Sequence, residues 1–289
     1  MIRRRHLALL AGSGLLAGAA PARLVSVGGA ITETVFALGE GARLVAADSS
    51  SRHRAAAAAL PRLGYMRSLP TEGILALRPD LVLLSSEAGP AEAVAVLRAA
   101  GVPLIVIEDG AGSGAPPAKA RAVAAALGCD GEALATALER DWAVLDAPIA
   151  AVARRPRVLF VLSMARGAPL VSGRGTHADA MITAAGGENP VRGFAGYRPL
   201  SAEAAAGLAP EAILMMDHAL AEAGGARGLL SAPALAVTPA ARTGRVLAMD
   251  GPYLLNFGPR AAAARRDLAA LLHPALPLPA PPARPWMAA

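Results

Sequence analysis

Two stretches of this 289-residue chain carry the same residue types in the same order, and this repetition limits the folds it can adopt. Residues 64–87 read GYMRSLPTEGILALRPDLVLLSSE, and residues 196–218 read GYRPLSAEAAAGLAPEAILMMDH. At an offset of 131, Glu72 aligns with Glu203 and Pro79 with Pro210, while the two tyrosines differ by one residue from that register. The shared order indicates an internal duplication, so the chain is predicted to form two similar lobes.

Short apolar strands alternate with helical segments in both halves of the sequence. RLVSVGG and RLVAADS read as strands on either side of ITETVFALG, whose apolar residues have helical spacing. A second alternation begins at RVLFVLS, beyond a long segment without strand character. This pattern predicts an α/β fold of two Rossmann-like lobes with parallel sheets, joined by one long interlobe helix, with a ligand cleft between the lobes.

The same signals divide the chain into five segments. We expect a signal peptide in residues 1–22, an N-terminal α/β lobe in 23–116 and a linking helix in 117–154, with breaks near Gly128 and Gly131. A C-terminal α/β lobe in 155–275 and a proline-rich, poorly ordered tail in 276–289 follow.

The first 22 residues indicate export. Three arginines precede an apolar stretch of signal-peptide length, and Ala20-Pro21-Ala22 fits a small-x-small cleavage site. The mature chain is therefore expected to be soluble and periplasmic, exported by either the general or the twin-arginine route.

Cys129 is the only cysteine, so no internal disulfide is possible. The cations form no dense stripe with interleaved aromatics, so nucleic-acid binding is not indicated.

The motifs of common enzyme classes are missing from the sequence. It has no G-x-S-x-G elbow, no H-E-x-x-H cluster and no Walker A lysine. Enzyme chemistry in the cleft stays open as a hypothesis, but binding is the better prediction.

Tyr65 is one of only three tyrosines and stands two residues before Arg67. A deprotonated phenol is a hard anionic ligand for ferric iron and a known axial ligand of haem. A guanidinium beside it favours the phenolate. In an extended segment, residues i and i+2 point to the same side. Tyr65 could then bind a metal as a phenolate while Arg67, on the same side, balances the negative charge of that phenolate.

PRLGYMRSLPTEGILALRPDLVL closely resembles the periplasmic haem-binding proteins of bacterial ABC importers, and so do GENPVRGFAGYRPLSAEA and MDGPYLLNFGPR. The resemblance extends from Arg23 to about His273. It implies two α/β lobes bridged by a long helix, with haem as the transported ligand in the cleft. Carried over to this chain, it makes Tyr65 the axial iron ligand and Arg67 its hydrogen-bonding or propionate partner.

Further residues are candidates for contact with the same ligand. His177 is a candidate second ligand from the opposite side, or for a second stacked haem; a merely exposed first-turn histidine is the alternative. Arg174 and Arg198 are candidate propionate partners. Candidate ring contacts are Tyr197, Tyr253 and Phe257.

Glu72 and Glu203 occupy equivalent places in the two halves, each in the first turn of a short helix. Acids favour that position for dipole reasons alone. In the wider class, an acid at this point of each lobe docks onto the permease, so the resemblance implies an ABC permease dimer as partner. An outer-membrane haem receptor pathway is a further candidate upstream, and the chain is expected to be a monomer. Cobalamin or a ferric siderophore is the alternative ligand.

Overall fold

The computed structural model describes residues 21–53, 55–165 and 167–288. The predicted signal peptide therefore lies almost entirely outside the described residues. Two sheets organise the chain, one in each half, and helices cover them. Within the described ranges, no helix is both long and apolar enough to cross a membrane.

The N-terminal lobe is built on a four-stranded parallel sheet of order β2-β1-β3-β4. The central strands β1 and β3 are fully buried, as expected for a sheet covered on both faces, whereas Ile105 and Val106 of the edge strand β4 are exposed. Its elements are β1 (Leu24–Val27), α1 (Gly29–Ala37), β2 (Leu44–Ala47), α2 (Ala55–Ala58), α3 (Thr71–Ala76), β3 (Leu81–Ser85), α4 (Ala91–Ala99) and β4 (Leu104–Ile107).

Three helices, not one, connect the lobes: α5 (Ala115–Leu127), α6 (Glu132–Ala143) and α7 (Asp146–Ala150). Gly128 ends α5 in the left-handed conformation, with φ of 69°. The predicted break near Gly128 and Gly131 is confirmed, because a glycine is the residue that adopts this cap without strain. A second break after Ala143 was not predicted.

The C-terminal lobe has a five-stranded mixed sheet of order β7-β6-β5-β8-β9. Its elements are β5 (Val158–Ala165), β6 (Ala168–Ser172), α8 (His177–Ala184), β7 (Tyr197–Pro199), α9 (Ala202–Leu208), β8 (Ala212–Met216), α10 (Asp217–Glu222), α11 (Gly225–Ser231), α12 (Pro233–Ala236), α13 (Pro239–Thr243), β9 (Val246–Met249), α14 (Gly251–Leu255) and α15 (Ala261–Leu272). Strands β6 and β7 run antiparallel to their neighbours, contrary to the all-parallel prediction. The connection from β5 to β6 is too short for a crossover, so the two strands form a hairpin.

The two lobes repeat the same helix-to-strand unit at the predicted offset. Helices α3 and α9 begin 131 residues apart, and so do strands β3 and β8. Arg78 and Ala209 also correspond, and both adopt a positive φ, 45° and 43°, immediately before a proline. A non-glycine residue in that region is uncommon, so its recurrence at equivalent places supports the duplication.

Helix α1 belongs to the N-terminal lobe but packs tightly against the C-terminal one. Glu33 on α1 pairs with Arg260 at 2.6 Å, and both side chains are 11% exposed. A Cβ added at Gly258 would lie 3.2 Å from the Cα and Cβ of Ala30. Because these small residues bring the two backbones together, the lobes are held close along α1.

The proline-rich tail is packed, although the sequence predicts little order there. Arg284 forms a two-point ion pair with Asp141 on α6, and Arg266 donates to the carbonyl of Pro279 at 2.8 Å. Trp286 packs beside Ala37 and Leu38, at the end of α1. Arginine pairing and one aromatic anchor therefore order a segment whose composition alone suggests a loose chain.

Gly29 tests the contact between α1 and the C-terminal lobe. A Cβ there would lie 2.8 Å from both the Nδ2 atom of Asn256 and the carbonyl oxygen of Ser50. We expect Gly29→Ala to lower the free energy of unfolding by about 1–3 kcal/mol, because both the C-terminal lobe and the loop after β2 must shift to relieve the clash. Urea denaturation measures the change.

Gly207→Ala is the matched control, because it lies in α9 with open space around it. It should be neutral or stabilising by up to about 1 kcal/mol, since alanine is the better helix former. Equal stability of the two variants would contradict close packing at Gly29.

Candidate functional site

A cavity of about 590 Å³ lies between the two lobes and is lined by both. Gly28, Glu87 and Asp109 enter it from segments that follow β1, β3 and β4, and Met216 ends β8. The carboxyl ends of the parallel strands therefore meet the cavity, which is where open α/β folds bind ligands. Its volume is in the range of small-molecule and cofactor sites.

Tyr65 and Arg67 line one wall of this cavity, as the sequence predicts. Tyr65 is 52% exposed, which is unusual for a large aromatic side chain because most of the large apolar side chains of the described residues lie in the core. Its loop is fixed to the segment after β3 by two backbone hydrogen bonds, from Gly89 N to the Met66 carbonyl at 2.9 Å and from Leu69 N to the Gly89 carbonyl at 3.0 Å. A large aromatic ring is thus held in the open by an ordered backbone.

Glu87 is the nearest charged neighbour of Arg67 in the cavity, and the two form an ion pair through Nη2 and Oε2. Partial burial acts to lower the pKa of Arg67, but the hydrogen bond and charge of Glu87, with smaller effects from Tyr65 and Tyr197, raise it overall. Arg67 thus stays a cation while the carboxylate of Glu87 offsets its charge.

Tyr197 faces the same cavity from the C-terminal lobe. Burial raises the pKa of its phenol above the usual value, and the charge of Glu87 acts in the same direction. The nearby Thr176 and the charge of Arg67 oppose these effects only in part. Tyr197 is therefore a neutral hydrogen-bonding ring at neutral pH.

The inner end of the cavity is a polar network centred on Asp109. Its carboxylate accepts from Lys119 Nζ at 2.6 Å and from the Ser85 hydroxyl at 2.7 Å. Lys119 Nζ also donates to the carbonyl oxygen of Asn256 at 2.9 Å, in the other lobe. Burial acts to raise the pKa of Asp109, but the Lys119 charge and these hydrogen bonds lower it overall.

His177 begins helix α8 and lines the cavity on the side of the C-terminal lobe. Its Nε2 lies 3.0 Å from the carbonyl oxygen of Asp109, across the cleft. Its ring packs on Phe257, with centroids 5.6 Å apart. The imidazole is therefore placed at the inner end of the cavity, with Nε2 held by the facing lobe.

Four predicted contact residues lie outside the cavity lining. Phe257 is fully buried in the C-terminal core and supports His177 from behind. Tyr253 donates its hydroxyl to Asp267 at 2.8 Å, and burial raises the pKa of its phenol. Arg198 lies over the ring of Phe194, and Arg174 is exposed on the strand-like segment paired with Ala195. None of these four lines the cavity in this structure, and contact of each with a bound ligand stays a prediction.

Glu72 and Glu203 are exposed in the first turns of α3 and α9, away from the cavity. Their equivalent placement follows the duplicated unit.

Sequence reasoning missed several polar residues of the cavity: Arg52, Glu87, Asp109, His218 and Asn256. For two of them a signal was available, because Glu87 and His218 align at the same offset of 131 as the duplicated segments. Asp109 and Asn256 carry no local pattern, since their roles come from contacts between distant parts of the chain.

Two α/β lobes joined by three helices, with a cavity between them lined by both lobes, are the arrangement of a ligand-binding protein. The family model described as "Periplasmic binding protein" matches residues 24–253, and the chain belongs to that family.

Solved structures of similar proteins agree with this assignment. The chain is 44% identical to the periplasmic heme-binding protein BhuT in complex with two hemes, with a TM-score of 0.82 over 88% of this chain and 99% of that one. It is 42% identical to the periplasmic heme-binding protein RhuT from Roseiflexus sp. RS-1, with a TM-score of 0.84 over the same shares. A periplasmic heme-binding protein from Pseudomonas aeruginosa is 34% identical, with a TM-score of 0.82 over 90% and 95%. A search of curated proteins gave no significant match.

Asp109→Asn tests the ion pair at the inner end of the cavity. Lys119 is almost fully buried, so removing its carboxylate partner leaves an uncompensated charge. At pH 7 we expect the free energy of unfolding to fall by about 3 kcal/mol. Because the folded pKa of Asp109 lies below its unfolded value, the pair stabilises fully above about pH 4 and less at lower pH.

The difference between Asp109→Asn and the unaltered chain should therefore shrink as the pH drops below about 4. Urea denaturation at several pH values measures it, with the exposed Glu92→Gln as control. A difference that grows toward acid pH would contradict a depressed pKa.

Proposed function

We propose that this chain is an exported periplasmic protein that captures haem in the interlobe cavity and delivers it to an inner-membrane ABC importer. The observation that carries the proposal is Tyr65, a half-exposed phenol beside the cation Arg67 in the cavity of a periplasmic binding protein. The similarity of the chain to three heme-binding proteins, at 34–44% identity over most of its length, favours haem as the ligand.

The chemistry of the wall suits ferric haem. A phenolate oxygen binds ferric iron, and Arg67 stabilises the anion. Arg67 and Arg52 also offer guanidinium groups to the propionates. Met66, Leu162, Met216 and Leu255 supply apolar and thioether contacts for the porphyrin faces.

His177 is the candidate second ligand on the facing wall. To bind iron through Nε2, His177 must first give up its contact with the Asp109 carbonyl in the other lobe. Tyr65 has no contact of this kind to break. We therefore assign Tyr65 as the first ligand and His177 as a ligand of the fully loaded state or of a second haem. BhuT, whose structure is similar, holds two hemes.

Hemin titration of the purified chain tests the ligand and its position. The unaltered protein should saturate with a Soret shift and the charge-transfer band of phenolate-ligated ferric haem. Tyr65→Phe keeps the ring and removes the oxygen, so we expect that band to vanish and the affinity to fall on the order of 10- to 100-fold or more.

Tyr253→Phe is the matched control, because its hydroxyl bonds Asp267 outside the cavity. It should leave spectrum and affinity unchanged. An unchanged spectrum in Tyr65→Phe would refute the ligand assignment, while binding of cobalamin or a ferric siderophore without hemin would replace the proposed cargo. Spectra of His177→Ala at one and two equivalents of hemin decide the role of the histidine.

Glu72 and Glu203 are proposed to dock onto the two halves of the permease. They are exposed at equivalent positions of the duplicated unit, and a two-fold partner can bind both. We expect Glu72→Arg with Glu203→Arg to leave hemin binding intact and to abolish uptake in cells that depend on this protein. The reason is that each substitution reverses the charge that the permease would have to pair with at that contact.

The control is Glu92→Arg with Glu222→Arg, which changes the net charge equally at exposed places on α4 and α10. It should support normal uptake. Uptake at the normal rate by the Glu72 and Glu203 double variant would sink the docking proposal.

A further inference from the structure

Glu87 is placed beside Arg67 by backbone pairing. The segments around Met66 and Gly89 exchange two hydrogen bonds, of 2.9 and 3.0 Å, which set the two loops side by side. The amide of Glu87 also donates to the Ser85 hydroxyl at 3.1 Å, and that hydroxyl donates to Asp109. The Glu87 backbone is thus anchored to the network at the inner end of the cavity.

The ion pair itself is accessible. The side chain of Arg67 is 58% exposed and that of Glu87 is 40% exposed. Exposed pairs contribute little net free energy, so another anion can displace the carboxylate from the guanidinium. Arg67 has several donors on a long flexible side chain, and Glu87 engages one of them.

The charges of the cavity wall make this pair consequential. Arg67 interacts electrostatically with both Tyr65 and Tyr197, on opposite walls. The other acid that lines the cavity, Asp109, is already paired with Lys119. Glu87 is therefore the carboxylate that offsets the cation facing the two phenols.

We propose that Glu87 is a release determinant: it competes with the anionic groups of the bound ligand for Arg67 and so keeps the affinity of the cavity below its maximum. The inference rests on the proposed haem function. When haem binds, Arg67 turns toward the phenolate of Tyr65 or a propionate. Glu87 stays fixed nearby as the partner to which Arg67 returns when haem leaves.

The equivalent positions of the second lobe contain no such ion pair. At the offset of 131, Glu87 corresponds to His218 and Arg67 to Arg198. Arg198 lies over Phe194, 5.3 Å from the ring centroid, and His218 lines the cavity in place of an acid. The duplicated unit has thus diverged into a wall with an exchangeable ion pair and a wall without one.

Hemin dissociation from the loaded full-length mature protein tests the inference, with an excess of a haem-scavenging protein to make release irreversible. We expect Glu87→Gln to slow dissociation about two- to fivefold, the range of an exposed ion pair. Glu92→Gln, an exposed acid on α4 outside the cavity, should leave the rate unchanged. In an Arg67→Ala background, Glu87→Gln should have no further effect, because the contested cation is gone.

Glu87→Asp provides a second variant that keeps the charge but shortens the reach, and it should also slow release, by less than Glu87→Gln. Circular dichroism confirms that each variant is folded. If the unaltered chain and Tyr65→Phe behave as proposed, but Glu87→Gln releases hemin at the normal rate or faster, the inference alone is overturned. A slowing that persists in Arg67→Ala also overturns it. An unaltered chain that does not bind hemin overturns the proposed function and this inference together.

Discussion

The buried pair of Lys119 and Asp109 is the interaction on which the site depends most. Lys119 is the only lysine of the sequence, and it contacts Asp109 of one lobe and the Asn256 carbonyl of the other. Desolvating an ammonium group is costly unless its partners are well placed, so this pair requires the two lobes and α5 to keep one arrangement. The same arrangement brings the Asp109 carbonyl within reach of His177. It also fixes the Ser85 hydroxyl, which donates to Asp109 and accepts from the amide of Glu87.

Much of the fold could be predicted from sequence because it follows from local rules. Alternating strands and helices predict the parallel sheet of the first lobe, and the repeated residue order predicts the α3–β3 and α9–β8 units. Tyr65, Arg67, His177 and Tyr197 line the cavity. The motifs that resemble haem-binding proteins pointed to Tyr65, Arg67 and Tyr197 in advance, and a predicted helix start pointed to His177. These features depend on a few neighbouring residues, which one sequence contains in full.

The rest depends on contacts between distant residues. Phe257 and Tyr253 lie in a motif that resembles the haem-binding family, yet one fills the core behind His177 and the other bonds Asp267. No local pattern distinguishes an aromatic residue that faces a cavity from one that packs a core. The packing of the tail was missed for the same reason, because its arginine pair joins residues far apart in the sequence. The hairpin of β5 and β6 is local, but no turn signal between the two strands was recognised.

The packing of α1 limits how this protein can admit and release a ligand. Gly29, Gly258 and the pair of Glu33 and Arg260 hold the lobes in close contact along the helix, and a wide hinge motion would have to break all of them. Changes in affinity must then come mainly from side chains at the cavity wall. The exposed pair of Arg67 and Glu87 can change partners without moving backbone, since its loops are fixed and its charges are solvated. Under the proposed release mechanism, a rigid frame with one exchangeable ion pair would let the ligand leave without a large conformational change.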